Sequence, residues 1–252
     1  MKKSNGIILF EGNSQLDGKP IVVIVTGFTR KSKNPKTGNL LQSYIIRNDM
    51  NPFTAYIKSK DCSVCGSCFM RKIKACYVNK AQAPLNVYAA YKRGVYAPLS
   101  KSNIKMFNNR ILRIGSYGDP AAAPLNIWEK VIKASKSFVG YSHNWMHCNQ
   151  RWNKYLMASI ETIKQQELAN KKGWRTFRIM VDNSKVSNNE IHCPASIEMG
   201  KKTTCEKCLS CGGNHSKLKK NVAIVAHGRV AKKFSRIMRL RMNKKKYTHL
   251  VK

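Results

Sequence analysis

Short hydrophobic runs recur along the first part of the chain and are separated by residues that favour turns. Three such runs, at 7–10, 21–28 and 40–47, are joined by loops rich in Gly, Asn and Pro. Runs of this length bounded by turn residues are typical of β-strands. We therefore predict a β-rich N-terminal segment over residues 1–60.

The pattern changes after the first cysteines, where apolar runs begin to alternate with amphipathic stretches. Strands are predicted at 111–119, 137–145, 155–162, 174–182 and 221–228, with a short strand or loop at 190–196. Helices are predicted at 84–97, 123–135, 163–173 and 230–246. Strands that alternate with helices indicate parallel units, so we predict an α/β fold with an incomplete parallel (β/α) barrel of about six strands over residues 61–228.

Polar residues stand at the ends of successive predicted strands. They are Asp119, His143, Glu161 and Asp182, in a chain with only 12 acidic residues against 47 Lys and Arg. Because side chains at the carboxyl ends of parallel strands converge on the active site, we predict that these four are catalytic. Asp119 would be a nucleophile or general base, and the others acids, bases or orienting groups.

Each of these residues also has a structural interpretation. Asp119, which precedes Pro120, could cap the turn that follows, and Glu161 could favour the start of a helix. His143 could be a hydrogen-bonded structural histidine. The sequence leaves both interpretations open for each residue.

Eight of the nine cysteines fall into two groups of four with short internal spacings. The groups are Cys62, Cys65, Cys68 and Cys76, and Cys193, Cys205, Cys208 and Cys211. We see no signal peptide and no membrane span, so we expect a reducing cytoplasm, where clustered thiols are more often metal ligands than disulfides. The spacing fits an iron–sulfur cluster or zinc at up to two sites, and a metal that only staples a loop is the structural alternative.

The formal net charge of +35 indicates a polyanionic partner, since Lys and Arg displace condensed counterions from phosphates. We expect nucleic acid, DNA or RNA, and neither a membrane nor an identifiable protein partner. The C-terminal segment, residues 229–252, is predicted to form a basic helix or tail. Its expected phosphate-binding residues are Arg229, Lys232, Lys233, Arg236, Arg239, Arg241, Lys244, Lys245 and Lys246.

Several motifs carry a family resemblance that covers roughly residues 20–228. The strings RIGSYGDPAAAP, GYSHNW and TTCEKCLSCGG resemble a group of uncharacterised proteins encoded by phages and plasmids. More distantly, an early cysteine cluster followed by βα units resembles the partial barrel of radical S-adenosylmethionine enzymes, which implies that cosubstrate. Those enzymes use a CxxxCxxC triad, whereas this chain has CxxCxxC and a fourth cysteine, Cys76, which would fill the iron site that the cosubstrate needs.

A second distant resemblance is to barrel enzymes that exchange bases in nucleic acids. It implies an aspartate at a strand end, here Asp119, and a late cysteine-rich zinc site. Together these features favour a phage- or plasmid-encoded metal-binding enzyme in the host cytoplasm that modifies or exchanges a base. The alternative is a non-catalytic, metal-stapled nucleic-acid-binding protein that serves replication or regulation.

Overall fold

The computed structural model describes most of the 252-residue chain. The described residues are 4–32, 34–58, 62–182, 185–200, 202–228 and 230–248, and the side chains of 242–248 are not included.

Ten strands of the described chain form one sheet. They are β1 (Gly6–Asn13), β2 (Pro20–Thr26), β3 (Leu41–Arg47), β4 (Ala97–Pro98), β5 (Ile111–Tyr117), β6 (Ser137–Ser142), β7 (Met157–Ile160), β8 (Thr176–Met180), β9 (Glu190–His192) and β10 (Asn221–Val225). Their order is β4-β1-β2-β3-β5-β6-β7-β8-β10-β9. Strand β2 pairs antiparallel with β1 and with β3, and the other neighbouring pairs are parallel.

The helices connect and flank these strands. They are α1 (Pro52–Ile57), α2 (Phe69–Lys72), α3 (Ala83–Lys92), α4 (Leu125–Ala134), α5 (Ile163–Lys171), α6 (Cys205–Cys208) and α7 (Ala231–Thr248). Single 3₁₀ turns occur at Ile104–Phe107, Pro120–Ala122, Gln150–Lys154 and Gly213–His215. Local chemistry sets several boundaries: Thr162 and Gln165 form a capping box at the start of α5, and Asn51 caps α1.

The mixed α/β architecture with a mostly parallel sheet is confirmed, and the sheet is open. The N-terminal strands are part of this sheet, because β3 pairs in parallel with β5 through Leu41 and Leu112. The parallel run therefore begins inside the segment 1–60 and extends from β3 to β9.

The two faces of the parallel run are covered differently. On one face, Trp128 and Val131 of α4 pack in the same core as Leu112 and Ile114 of β5, together with Ala169 of α5. We call this the outer face. Burial of these large apolar side chains supplies the main stabilisation of the fold.

The opposite, inner face borders a cavity of about 360 Å³. Its walls include Arg113, Tyr141, Phe177 and Ile224, and Arg113 alternates along β5 with Leu112 and Ile114 of the outer core. Because successive side chains of a strand point to opposite faces, the same strands build a core on one side and a cavity on the other.

Helix α7 packs across the carboxyl ends of the strands. Phe234 and Met238 are buried against Met70, Ala75 and Ile179. None of the described helices is both long enough and apolar enough to span a membrane.

Candidate functional site

Asp119 lies just beyond β5 and is buried. Its Oδ1 accepts hydrogen bonds from Ala121 N at 3.0 Å and Ser142 Oγ at 2.7 Å. Its Oδ2 accepts from the backbone N–H groups of His143 at 2.7 Å and Asn144 at 3.3 Å. The interpretation of Asp119 as a cap is confirmed, since it caps the 3₁₀ turn at Pro120–Ala122. Its catalytic role stays a prediction.

The residues around Asp119 also hold the first cysteine segment in place. Asn144 Oδ1 accepts from Ser67 N at 2.8 Å, and Asn144 Nδ2 donates to Cys65 O at 3.2 Å. The backbone N–H of Asp119 donates to Val64 O at 2.5 Å. The segment with Cys62–Cys68 is thereby attached to the carboxyl ends of β5 and β6.

His143 and Glu161 form a second polar contact at this edge. His143 Nδ1 lies 3.9 Å from Glu161 Oε1, and their side chains are 17% and 7% exposed. Within the described part of the chain, Glu161 Oε1 is buried with no hydrogen-bond partner. Burial raises the pKa of Glu161, although the nearby charges of His143 and Arg241 act in the opposite direction. A buried oxygen without a partner is costly and marks a place where a ligand could bind.

The structure brings three of the four predicted catalytic residues together. Asp119 bonds to the backbone of His143, which faces Glu161. Asp182, two residues beyond β8, is exposed and lies outside this buried group.

The first cysteine group lies at the same carboxyl edge, beneath α7. Burial raises the pKa of Cys68 to about 12, with smaller contributions from Asp119 and Glu161 in the same direction. Burial also raises the pKa of Cys65, and the neighbouring thiols Cys68 and Cys76 add to the effect. Three thiols of the group are therefore near neighbours.

Cys62 is the fourth cysteine of the first group. Its Sγ accepts from the Arg71 guanidinium at 3.6 Å. The ninth cysteine, Cys148, is partly buried near Asp119, and burial raises its pKa to about 12.

The second cysteine group is held by contacts with the middle of β6 and with residues that precede β3 and β8. Cys211 O accepts from Gly140 N at 2.9 Å, and Cys205 N donates to Lys36 O, just before β3, at 2.8 Å. Arg175, just before β8, donates to Ser210 O at 3.0 Å. The two groups are therefore held by different parts of the strands, the first by the carboxyl ends of β5 and β6 and the second by the middle of β6 and the residues before β3 and β8.

The four thiols of the second group influence one another. Burial raises the pKa of Cys211, and Cys193, Cys205 and Cys208 each add to that rise. Burial also raises the pKa of Cys205, and there the positive charges of Arg113 and Lys36 act in the opposite direction. Among the described residues, no group of three or more His, Cys, Asp or Glu side chains is arranged so that it could hold a metal ion.

The segment 193–211 crosses the open side of the sheet. It starts beside β10, where Cys193 N donates to Ala223 O at 2.7 Å, and reaches the loop before β3, where Asn39 N donates to Glu206 Oε2 at 3.0 Å. It thus connects the two ends of the parallel run, β3 and β9, and borders the cavity between them.

The cavity has an aromatic and polar lining. Tyr141 stacks on Phe177 with ring centroids 4.9 Å apart and an interplanar angle of 9°. The hydroxyls of Tyr77 and Tyr141 are 2.5 Å apart, and the His227 ring lies 5.8 Å from that of Tyr77. Exposed lining residues outside the strands, among them Asn34, Asn79 and Gln82, form the mouth, together with Val230 and Ala231 next to the start of α7.

None of the four predicted catalytic residues is among the described residues that line the cavity. Sequence reasoning missed Arg113 and Tyr77 as components of a site. For Arg113 there was a signal, because a charged residue stands inside an otherwise apolar strand. For Tyr77 the sequence offered no such signal.

Helix α7 presents a cationic surface next to this mouth. Lys232, Lys233, Arg236 and Arg239 are exposed, as the helical spacing predicts. The Arg241 guanidinium lies 4.3 Å from the centre of the Phe69 ring. Arg229 lies outside the described residues, as do the side chains of Lys244, Lys245 and Lys246.

The chain was compared with models of known protein families, with curated proteins and with solved structures, and no match was found. Geometry and charge at the site are therefore the basis for assigning a function.

Proposed function

We propose that the chain is an enzyme that acts on nucleic acid, DNA or RNA, and that it modifies or exchanges a base. We further propose that it belongs to the phage- and plasmid-encoded group that its motifs resemble. A cytoplasmic location agrees with its clustered free cysteines, since thiols stay reduced there.

One observation carries the proposal: the basic helix begins at the mouth of the cavity. Val230 and Ala231 line the cavity, and the exposed cations of α7 follow within the next turns. Phosphates held by Lys232, Lys233, Arg236 and Arg239 would bring a nucleotide to the opening.

The cavity has the size and chemistry that a base requires. Enzymes that act on a base must take it out of the stack into a pocket with aromatic or apolar walls. A volume of about 360 Å³ and the stacked pair Tyr141 and Phe177 meet that requirement. The arc of parallel strands around the cavity is the arrangement that an incomplete (β/α) barrel would give.

The polar groups at the carboxyl edge have distinct proposed roles. His143 and Glu161 would transfer protons, since an imidazole can both donate and accept a proton and Glu161 is a buried carboxyl with a raised pKa. The Tyr141 ring, with its centroid 6.5 Å from that of His143, lies between this pair and the cavity. Asp119 would position the loop that carries His143, and Asp182 would act from the exposed part of the same edge.

The two cysteine groups are proposed to hold metal, as iron–sulfur clusters or zinc, which requires their thiols to adopt an arrangement that the described residues do not have. The support is their spacing and the mutual influence of their thiols. A metal at the second group would fasten the segment 193–211 across the open side of the sheet. A cluster at the first group would supply redox chemistry, and use of S-adenosylmethionine there stays a prediction that the fourth cysteine, Cys76, disfavours.

A non-catalytic, metal-stapled nucleic-acid-binding protein is the second candidate. The observation that favours it is that both carboxylate oxygens of Asp119 are occupied by donors of the protein itself. In that case α7 binds phosphates, and the metals only stabilise loops.

Nucleoside analysis distinguishes the two functions. DNA and RNA are incubated with anaerobically purified protein, digested and analysed by mass spectrometry. An enzyme is expected to yield a changed or released base, and Glu161→Gln is expected to abolish that product while binding persists. Tight binding without any changed base, under both metal-loaded and reduced conditions, would favour the binding protein.

A further inference from the structure

Arg113 occupies an unusual position for a charged residue. It lies within β5, between Gln42 of β3 and Val139 of β6, and its side chain lines the cavity. Its neighbours along the strand, Leu112 and Ile114, are buried in the outer core. The guanidinium therefore lies on the cavity side of the sheet.

Arg113 has no acidic partner in the described part of the chain. The arginines that pair with carboxylates there are Arg47, Arg151 and Arg178. Arg113 interacts instead with Tyr77, Tyr141 and the thiol of Cys205. Two of these partners are hydroxyl groups and one is a thiol, so no described carboxylate pairs with the guanidinium.

Partial burial of a guanidinium that has no described carboxylate partner costs free energy, because its desolvation is not repaid by a carboxylate ion pair. The cost is recovered if an anion enters the adjacent cavity. A guanidinium also presents paired N–H groups that match the oxygens of a phosphate or carboxylate.

The surroundings define the rest of the ligand. Beside Arg113, Ser116 Oγ donates to Gln42 Oε1 at 2.7 Å, and both residues line the cavity. The stacked rings of Tyr141 and Phe177 line the same cavity and add apolar surface to it. Lys36 borders the same space and adds positive charge at the mouth.

We propose that the cavity binds a free nucleoside monophosphate, with the phosphate on Arg113 and the ring system against the aromatic wall. The site is a small-molecule site that is separate from the phosphate-binding surface of α7. It does not depend on the chain modifying nucleic acid, and under the proposed function the monophosphate and the base of a bound strand would occupy the cavity in turn.

Calorimetry with the full-length, metal-replete protein tests the site. The probes are adenosine and guanosine 5′-monophosphates, the corresponding nucleosides, inorganic phosphate and a short single-stranded oligonucleotide. We expect the monophosphates to bind at least about tenfold more tightly than the nucleosides. In a variant with Gln at Lys232, Lys233, Arg236 and Arg239, the monophosphates are expected to bind as they do to the wild type while the oligonucleotide binds more weakly. An equal loss for both would show that the cavity has no phosphate site of its own and would overturn the proposal.

Substitutions then assign the contact. Arg113→Met is expected to weaken monophosphate binding at least about tenfold, which is 1.4 kcal/mol. Lys130→Met, which removes an exposed cation of α4 on the outer face, is the matched control and should bind as the wild type does. Arg113→Lys keeps the charge but loses the paired donors, so it should bind with intermediate affinity.

If Arg113→Met does not fold, Ala231→Trp tests the proposal instead. Its large side chain, at a partly exposed position, is expected to block the mouth of the cavity. It is expected to abolish monophosphate binding without changing bound metal. The proposal is overturned if monophosphates bind no better than nucleosides, or if a folded Ala231→Trp or Arg113→Met binds them normally. Loss of metal from Arg113→Met with normal nucleotide binding would show that Arg113 only balances the thiolates.

Discussion

Asp119 accepts hydrogen bonds from four donors, and its removal would leave those donors unpaired in a buried place. We therefore expect Asp119→Ala to lower the free energy of unfolding by about 3 kcal/mol, and Asp119→Asn by about 2 kcal/mol, because the amide turns a donor toward donors. Urea denaturation measures both values.

The control for Asp119 is Glu167→Gln, which alters an exposed carboxylate of α5 and should change stability by less than about 0.5 kcal/mol. An Asp119→Asn protein that is as stable as the wild type but catalytically inactive would contradict the positioning role. It would support the prediction that Asp119 is a nucleophile.

Glu161 has a folded-state pKa above its ordinary value of 4.5, chiefly because of burial. The folded protein then holds this proton more tightly than the unfolded chain. The contribution to stability is therefore full below pH 4.5 and is lost as the pH rises through the raised folded-state pKa. We expect Glu161→Gln to remove this loss and to be more stable than the wild type near pH 8.

Urea denaturation of wild type and Glu161→Gln at several pH values between 4.5 and 8 measures the effect. Two stability curves that run parallel over that range would show that Glu161 is not the group responsible.

At the scale of single residues, the sequence predicted where Asp119, His143 and Glu161 would lie, but not what each contacts. The position follows from strand ends, which local hydrophobic pattern reveals. The hydrogen-bond donors of Asp119 come from β6, more than twenty residues away. Arg113 was missed because the pattern does not say which face of a strand borders a cavity.

Helix α7 is the element that we expect to bind phosphates. Replacing Lys232, Lys233, Arg236 and Arg239 together by Gln should weaken nucleic-acid binding. It should also reduce the slope of log K against log salt concentration by about 3, since each phosphate contact contributes about 0.7–0.9. Fluorescence anisotropy at several salt concentrations measures the slope.

A control with the same net charge separates contact from bulk charge. Gln at Lys130, Lys133, Lys164 and Lys171 removes four exposed cations from α4 and α5, on the outer face. That variant should keep the wild-type slope. Equal losses in the two variants would show that α7 is no specific phosphate-binding surface.

At the scale of elements, the periodicity of α7 correctly predicted a buried apolar side and an exposed cationic side. It could not show what the apolar side covers. Phe234 and Met238 pack on Met70 and Ile179. These residues are so far apart in the sequence that no local pattern connects them.

At the scale of the whole molecule, the segment 193–211 contacts both ends of the parallel run, beside β9 and before β3. If its thiols hold metal, the double variant Cys205→Ser and Cys208→Ser should lose that metal and unfold more easily, by at least about 3 kcal/mol. Metal analysis and thermal unfolding under anaerobic conditions measure both effects.

Cys148→Ser is the control, because Cys148 belongs to neither group. Absorbance near ~400 nm with bound iron would identify an iron–sulfur cluster, and stoichiometric zinc in a colourless protein would identify zinc. A double variant with unchanged stability and no metal in the wild type would contradict the proposed metal site.

The sequence by itself determined the succession of strands and helices, the grouping of the cysteines and the polarity of α7. These properties depend on spacings of a few residues, which can be read from the sequence alone. Only the tertiary structure decided which strands hold each cysteine group and that Asp119 is enclosed by donors. It alone placed Arg113 beside a cavity, because each of these facts depends on contacts between segments far apart in sequence, such as Cys205 with Lys36.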